Sequence, residues 1–205
     1  MEQEFSSSLL ENAVSSLSRL PGVGRKTALR FALHLLRRPS DEAVAIGEAI
    51  INLRTGIRYC SVCHNISQSE LCPLCASPKR DNSVVCVVEN VKDVMSIENT
   101  RRFDGLYHVL GGLISPVDGI GPDLLEIQSL ADRVKAGGIT EVILATGATV
   151  EADTTNYYIY RMLTRISPEL KITQLARGVS VGDELEYTDE VTLARSLTAR
   201  TPFEL

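Results

Sequence analysis

Cys60, Cys63, Cys72 and Cys75 form two C-x2-C pairs within sixteen residues and account for four of the five cysteines in the chain. In a reducing compartment such pairs read as ligands of one metal ion rather than as disulfides. Four thiolates complete a tetrahedral zinc site and leave no position for water, so the chemistry they predict is structural, not catalytic. The competing reading is a set of free or redox-active thiols. His64 adjoins Cys63 and is a conceivable substitute ligand, but four cysteines already fill the set. Cys86, alone inside the apolar run VVCVVE, reads as a small core residue.

A second chemistry lies in RLPGVGRKTALRFALHLLRR, Arg19 to Arg38, which holds six basic residues and no acidic one in a chain of net charge −5. Between two helical stretches, LPGVG reads as the turn of a helix-hairpin-helix. Gly22 and Gly24 admit backbone shapes that bulkier residues resist. They also let backbone N–H groups approach phosphate oxygens at the positive end of the following helix. Arg25, Lys26 and Arg30 add charge without reading bases, a pattern that predicts sequence-independent DNA binding falling steeply with salt. The alternative is an ordinary glycine-containing connection with a solvated basic face.

Carboxylates supply the third candidate. Glu89 closes the strand VVCVVE, and ATGATVEAD places Glu151 and Asp153 just beyond a later strand. Ligand sites in open parallel sheets gather at the carboxyl ends of strands. Three acids converging there would hold Mg²⁺ together with waters and phosphate, and Asp93 is a further candidate. With equal force, Glu151 and Asp153 read as acids favoured in the first turn of a helix.

The elements that must position these groups follow from periodicity. Leu10, Ala13, Val14 and Leu17 recur at helical spacing, with Ser8 and Glu11 as a capping box. A second helix is predicted from Lys26 to Leu36, burying Ala28, Phe31, Ala32 and Leu35. A third starts at a Ser40 cap and carries the apolar stripe Ala43, Ile46, Ile50 and Leu53. Residues 58–80 hold too few large apolar groups to build a core. Beyond them VVCVVE, LYHVLGG, EVILATG and KITQLAR read as strands, alternating with helices near 91–101, 122–136 and 154–166. The tail from Thr188 to Ala199 reads as a last helix. The predicted fold class is therefore α/β: an N-terminal helical region over 1–57, a small zinc finger over 58–80, a mostly parallel sheet flanked by helices over 81–177, and a C-terminal helical segment over 178–205.

Composition sets the outer bounds. The 44% hydrophobic and 23% charged content is ordinary for a globular protein, and no apolar run is long enough to span a membrane. The N-terminus lacks a basic stretch followed by an apolar one, so a cytoplasmic location is the default expectation. Net acidity argues weakly against a nucleic-acid partner, but the distribution of charge outweighs its sum.

Taken in order, LPGVGRKTALRFALHLL, CSVCHNISQSELCPLC, VVENVKDVMSIENTRRFDGLYHVLGGLISPVDGIGP, RVKAGGITEVILATGATVEADTTNYYIYRML and LARGVSVGDELEYTDEVTLARSLTAR resemble the RecR family of bacterial recombination mediators over nearly the whole chain. The resemblance implies a helix-hairpin-helix, a four-cysteine zinc finger, a Toprim domain and a C-terminal segment used in subunit contacts. It implies a protein without catalytic activity that acts with RecO and RecF in DNA repair, helping to load the recombinase onto DNA. It also implies ring-like tetramers able to surround DNA in the bacterial cytoplasm, associated with the nucleoid. The zinc ligands of the family fall on Cys60, Cys63, Cys72 and Cys75, its hairpin basic residues on Arg25, Lys26 and Arg30, and its Toprim acids on Glu89, Glu151 and Asp153. One departure is Ala152, where the family has glycine between the acids; the expectation is a more restricted loop and a less secure metal site. The alternative function is a Mg²⁺-dependent Toprim nuclease or strand-transfer enzyme. A further role for the acids is docking a basic patch of RecO. Tyr157, Tyr158 and Tyr160 are expected to pack on a helix rather than serve as nucleophiles.

Overall fold

The computed structural model describes residues 7–179, 182 and 184–202. The chain divides into two compact units, Met1–Ile57 and Arg58–Leu205.

The first unit is helical: α1 (Ser8–Leu17), α2 (Arg25–Leu36) and α3 (Ser40–Gly56). Its small core is Val14 against Ala28 and Ala32, with Leu10, Leu17, Val23 and Leu29 packed around it. Alanines on α2 let the two helices approach closely. Between them Val23 N–H donates to the Leu20 carbonyl at 3.0 Å, and Gly22 sits at φ +77°. This is the geometry of a type II turn, with Pro21 supplying its fixed φ and Gly22 the left-handed position. Three sequence expectations shift here. The cap of α1 is Ser7, without a side-chain hydrogen bond, so Ser8 and Glu11 form no capping box. Phe31 is exposed, because α2 turns only its alanine edge towards α1. Pro39, not Ser40, precedes α3, and no residue of α3 is buried, so its apolar stripe is left in solvent.

The second unit begins with a two-stranded antiparallel ribbon, β1 (Arg58–Tyr59) and β2 (Ile66–Ser67). A parallel sheet in the order β4-β3-β5-β6 follows, made of β3 (Asp81–Val88), β4 (Gly105–Val109), β5 (Glu141–Leu144) and β6 (Lys171–Gln174). The connecting helices are α4 (Val91–Thr100), α5 (Ile127–Lys135) and α6 (Val150–Ile166), and α7 (Glu190–Thr198) closes the unit. The predicted helix near 122–136 is broken: Pro122–Leu124 forms a 3-10 turn before α5 starts.

Alternation along β3 explains the layering. Val85 and Val87 face a core shared with Ile127 and Leu130 of α5 and Ile159 and Leu163 of α6. Cys86 and Val88 face the other side, against Val94 of α4, Tyr107 and Val109. Cys86 is thus the core residue its surroundings imply, and burial pushes its thiol up to about 12.

A polar clamp joins the end of the cysteine-rich segment to the sheet. Arg80 pairs with Glu98 of α4 through both terminal guanidinium nitrogens, and Nη1 also donates to the carbonyls of Gly105 at 3.0 Å and Phe103 at 3.3 Å. Tyr107 O–H donates to the same Glu98 carboxylate at 2.7 Å. The Arg80 hydrogen bond, aided by that of Tyr107, holds the Glu98 carboxyl below its ordinary range. We expect Arg80→Ala to lower stability by ~2 kcal/mol, read as the midpoint of urea or thermal unfolding. Because the folded carboxyl of Glu98 is depressed, its contribution is present above the ordinary carboxylate range and lost as pH falls through the lower folded value. The stability gap between the wild type and Glu98→Gln therefore narrows below about pH 4.

Candidate zinc centre and nucleic-acid interface

The sulfur atoms of Cys60, Cys63, Cys72 and Cys75 all lie within 4.8 Å of one another, and Cys63 and Cys72 are 3.5 Å apart. Zinc–sulfur bonds of about 2.3 Å arranged tetrahedrally give sulfur–sulfur edges of about 3.8 Å, so the donor set fits zinc. Among the described residues this is the one group of three or more potential ligands brought so close. His64 stays outside it. Backbone N–H groups point at the sulfurs: Cys72 N–H to Cys60 at 3.3 Å and Cys75 N–H to Cys72 at 3.4 Å. Burial opposes ionisation of Cys60, but backbone N–H groups led by that of Cys72 outweigh it and bring its thiol down to about 7. Burial raises Cys72 to about 11, and the neighbouring Cys75 together with burial raises Cys63 further. A metal ion must displace these protons, which couples its binding to pH and to folding.

The finger is seated on the free edge of the sheet. The outward N–H of Val109 donates to the Cys63 carbonyl at 2.8 Å, and the outward carbonyl of Tyr107 accepts from Arg133 Nη1 at 2.7 Å. These two outward positions of edge strand β4 are thereby satisfied. Arg133 of α5 went unnoticed in the sequence. Burial works against its charge, while the four cysteines favour it; four thiolates on one zinc carry a net −2 that a nearby guanidinium offsets. Beneath the finger His64 and His108 meet edge to face, with ring centroids 5.2 Å apart. His108 Nε2 faces the Glu126 carbonyl at 2.7 Å, and burial keeps its ring neutral, pulling its pKa down to about 3.

In the helical unit, Gly24 caps α2 in ordinary extended backbone, φ −75°, and brings no side chain to cap the helix. Only Gly22 of the two glycines occupies the left-handed region. Arg25, Lys26 and Arg30 are all exposed on α2. Lys26 and Arg30 line a shallow surface groove of about 370 Å³ together with His34 and Arg37. Arg38 is instead paired with Glu42 at 2.8 Å.

The acids are placed as follows. Glu89 is half-buried at the end of β3, while Glu151 and Asp153 are exposed in the first turn of α6. They do not join in a three-ligand cluster among the described residues. Asp93 is occupied in the capping box of α4, accepting from Asn90 N–H at 3.0 Å. Asp153 pairs with Arg177 at 2.6 Å, which depresses its carboxyl. Ala152 does not restrict a loop: it lies inside α6, fully buried, in helical backbone that needs no glycine. Tyr157, Tyr158 and Tyr160 are exposed, contrary to the packing expected of them, because α6 buries Ile159 and Leu163 instead.

A helical hairpin unit joined to a four-cysteine finger on a parallel sheet defines a zinc-finger Toprim protein, and comparison with known proteins narrows the class. Family models match in chain order: the RecR helix-hairpin-helix over 10–54, the RecR zinc finger of four-cysteine type over 57–77, Toprim over 83–176 and the RecR C-terminal region over 178–201. The chain is 58% identical over 203 residues to Recombination protein RecR of Bacteroides fragilis, covering 99% of this chain and 98% of that one. It is 57% identical over 203 residues to Recombination protein RecR of Bacteroides thetaiotaomicron, with the same coverage. The protein of that name in Flavobacterium johnsoniae is 51% identical over 201 residues, covering 98% of this chain and 97% of that one. The chain belongs to the RecR family, and its role is in recombination and repair.

Removing zinc with a chelator should loosen residues 57–77, since no apolar core replaces the metal there; amide exchange over that segment rises while α1 and α2 are unaffected. Arg133→Gln should weaken zinc retention about tenfold, measured by competition with a chromogenic chelator.

Proposed function

We propose that this chain is a non-catalytic recombination mediator that holds DNA through its helix-hairpin-helix, in a sequence-independent manner, and works with RecO and RecF to load the recombinase. The observation that carries the reading is the complete set of RecR family regions in order, joined to an exposed basic face on α2. Gly22 and Gly24 keep the turn slim, the cap residue Gly24 brings no side chain to the start of α2, and Arg25, Lys26 and Arg30 supply phosphate charge. Nothing in this arrangement reads base edges.

The mediator acts as a homo-oligomer, a ring of four surrounding DNA, in the cytoplasm at the nucleoid. Support comes from α3, where Val44, Ile46, Ile50, Ile51 and Leu53 are each about half exposed or more. An apolar helix face of that extent belongs against another surface. Glu89 and Glu151 leave acidic groups available to a basic partner such as RecO, while Asp153 is engaged within the chain.

Charge reversal at Arg25 and Lys26 should lower DNA retention at about 100 mM salt roughly a hundredfold while the circular dichroism spectrum is unchanged. Each neutralised phosphate contact should reduce the slope of log affinity against log salt by about one. Unchanged retention removes the hairpin from the DNA site. Mg²⁺-dependent cleavage of labelled DNA, lost in Glu89→Gln, would instead make the protein a nuclease. Native mass spectrometry should show an assembly that Ile50→Glu disperses.

A further inference from the structure

The ends of β3 and β5, where the sequence places a Mg²⁺ site, hold donors that do not suit one. Mg²⁺ needs carboxylate oxygens free of other cations, in a near-octahedral array. Both oxygens of Asp153 already face guanidinium groups, Oδ1 with Arg177 Nη2 at 2.6 Å and Oδ2 with Arg195 Nη2 at 3.8 Å. Arg177 Nη2 also reaches the Gly147 carbonyl at 3.4 Å. The Arg177 side chain is only 20% exposed while that of Asp153 is 46% exposed, so salt still screens this pair.

The two arginines come from one stretch of chain. Arg177 lies just beyond β6, and Arg195 is in α7. No described residue of α7 is buried. A cleft of about 990 Å³ lies beside it, lined by Leu175, Val191 and Ala194 as well as Asp153, Arg177 and Arg195. Apolar packing therefore holds this helix weakly, and its charged tie to the strand ends is Arg195 on Asp153 at 3.8 Å, both about half-exposed.

We propose that Asp153 is the keystone of an ionic latch: Arg177 and Arg195 take the place of a cation on its carboxylate and hold the C-terminal helix over the strand ends, and high salt opens the latch. The acid at the end of this sheet is thus a docking point for the chain's own tail. Opening frees α7 and uncovers the cleft.

Hydrogen exchange on the full chain tests this at about 50 mM and about 500 mM salt. In the wild type, amides of α7 should exchange about three- to tenfold faster at the higher salt. In Asp153→Asn they should exchange at the fast rate in both, with β3 still protected. Glu151→Gln, in the same helical turn, should behave as wild type. Equal α7 exchange in wild type and Asp153→Asn at low salt overturns the latch. So does release of α7 by Mg²⁺ at matched ionic strength in the wild type alone, which would make Asp153 a metal ligand. If Asp153→Asn fails to protect β3, Arg195→Gln takes its place; it should show low-salt release, and its absence sinks the proposal.

Discussion

Four sulfur atoms within 4.8 Å of one another repel as thiolates and make little core as thiols, and the second unit is organised around resolving that conflict. A zinc ion draws them together, and the finger it closes then becomes rigid enough to serve as a lid on an open sheet edge. The carbonyl of Cys63 meets the edge N–H of Val109, and Arg133 meets the edge carbonyl of Tyr107 while lying in the field of the cysteines. Metal, finger and edge strand are therefore one cooperative arrangement. Loss of the metal uncovers backbone groups along β4, the kind of edge that recruits foreign strands.

Charge is partitioned rather than averaged. The chain is acidic as a whole, yet no acid interrupts the six basic residues from Arg19 to Arg38. Elsewhere several cations are paired with acids: Arg80 with Glu98, Arg177 with Asp153, Lys171 with Glu141. Net charge alone therefore says little about where positive potential lies on this chain.

How far the sequence carries depends on whether a feature is local. The zinc ligands were legible because two C-x2-C pairs need only short-range geometry to converge. The Pro21–Gly22 turn was legible for the same reason, as were the strands of the parallel sheet, whose apolar runs declare burial on both faces. What escaped was tertiary. Nothing in RVK marks Arg133 as the residue beside the finger, because α5 and the cysteines lie more than fifty residues apart along the chain. The three acids lie beyond strand ends as expected, but convergence requires side-chain directions that spacing cannot supply, and the fold gives Asp153 to Arg177 instead. The apolar stripe of α3 was read correctly as a stripe, and spacing alone could not tell that no residue of it is buried. Tyr157, Tyr158 and Tyr160 fell on the outer face of α6 because one aliphatic column, Ile159 and Leu163, already fills the inner one.

The two glycines of the hairpin turn answer to different masters. At Gly22 the backbone itself demands the residue, for φ is +77° and any side chain there strains the turn. At Gly24 the backbone is ordinary and a methyl group would touch nothing within 4 Å. Among the described residues, alanine at 24 would meet only open space at the mouth of α2. Gly24→Ala thus separates what the turn needs in order to fold from what any ligand at the mouth of α2 would need.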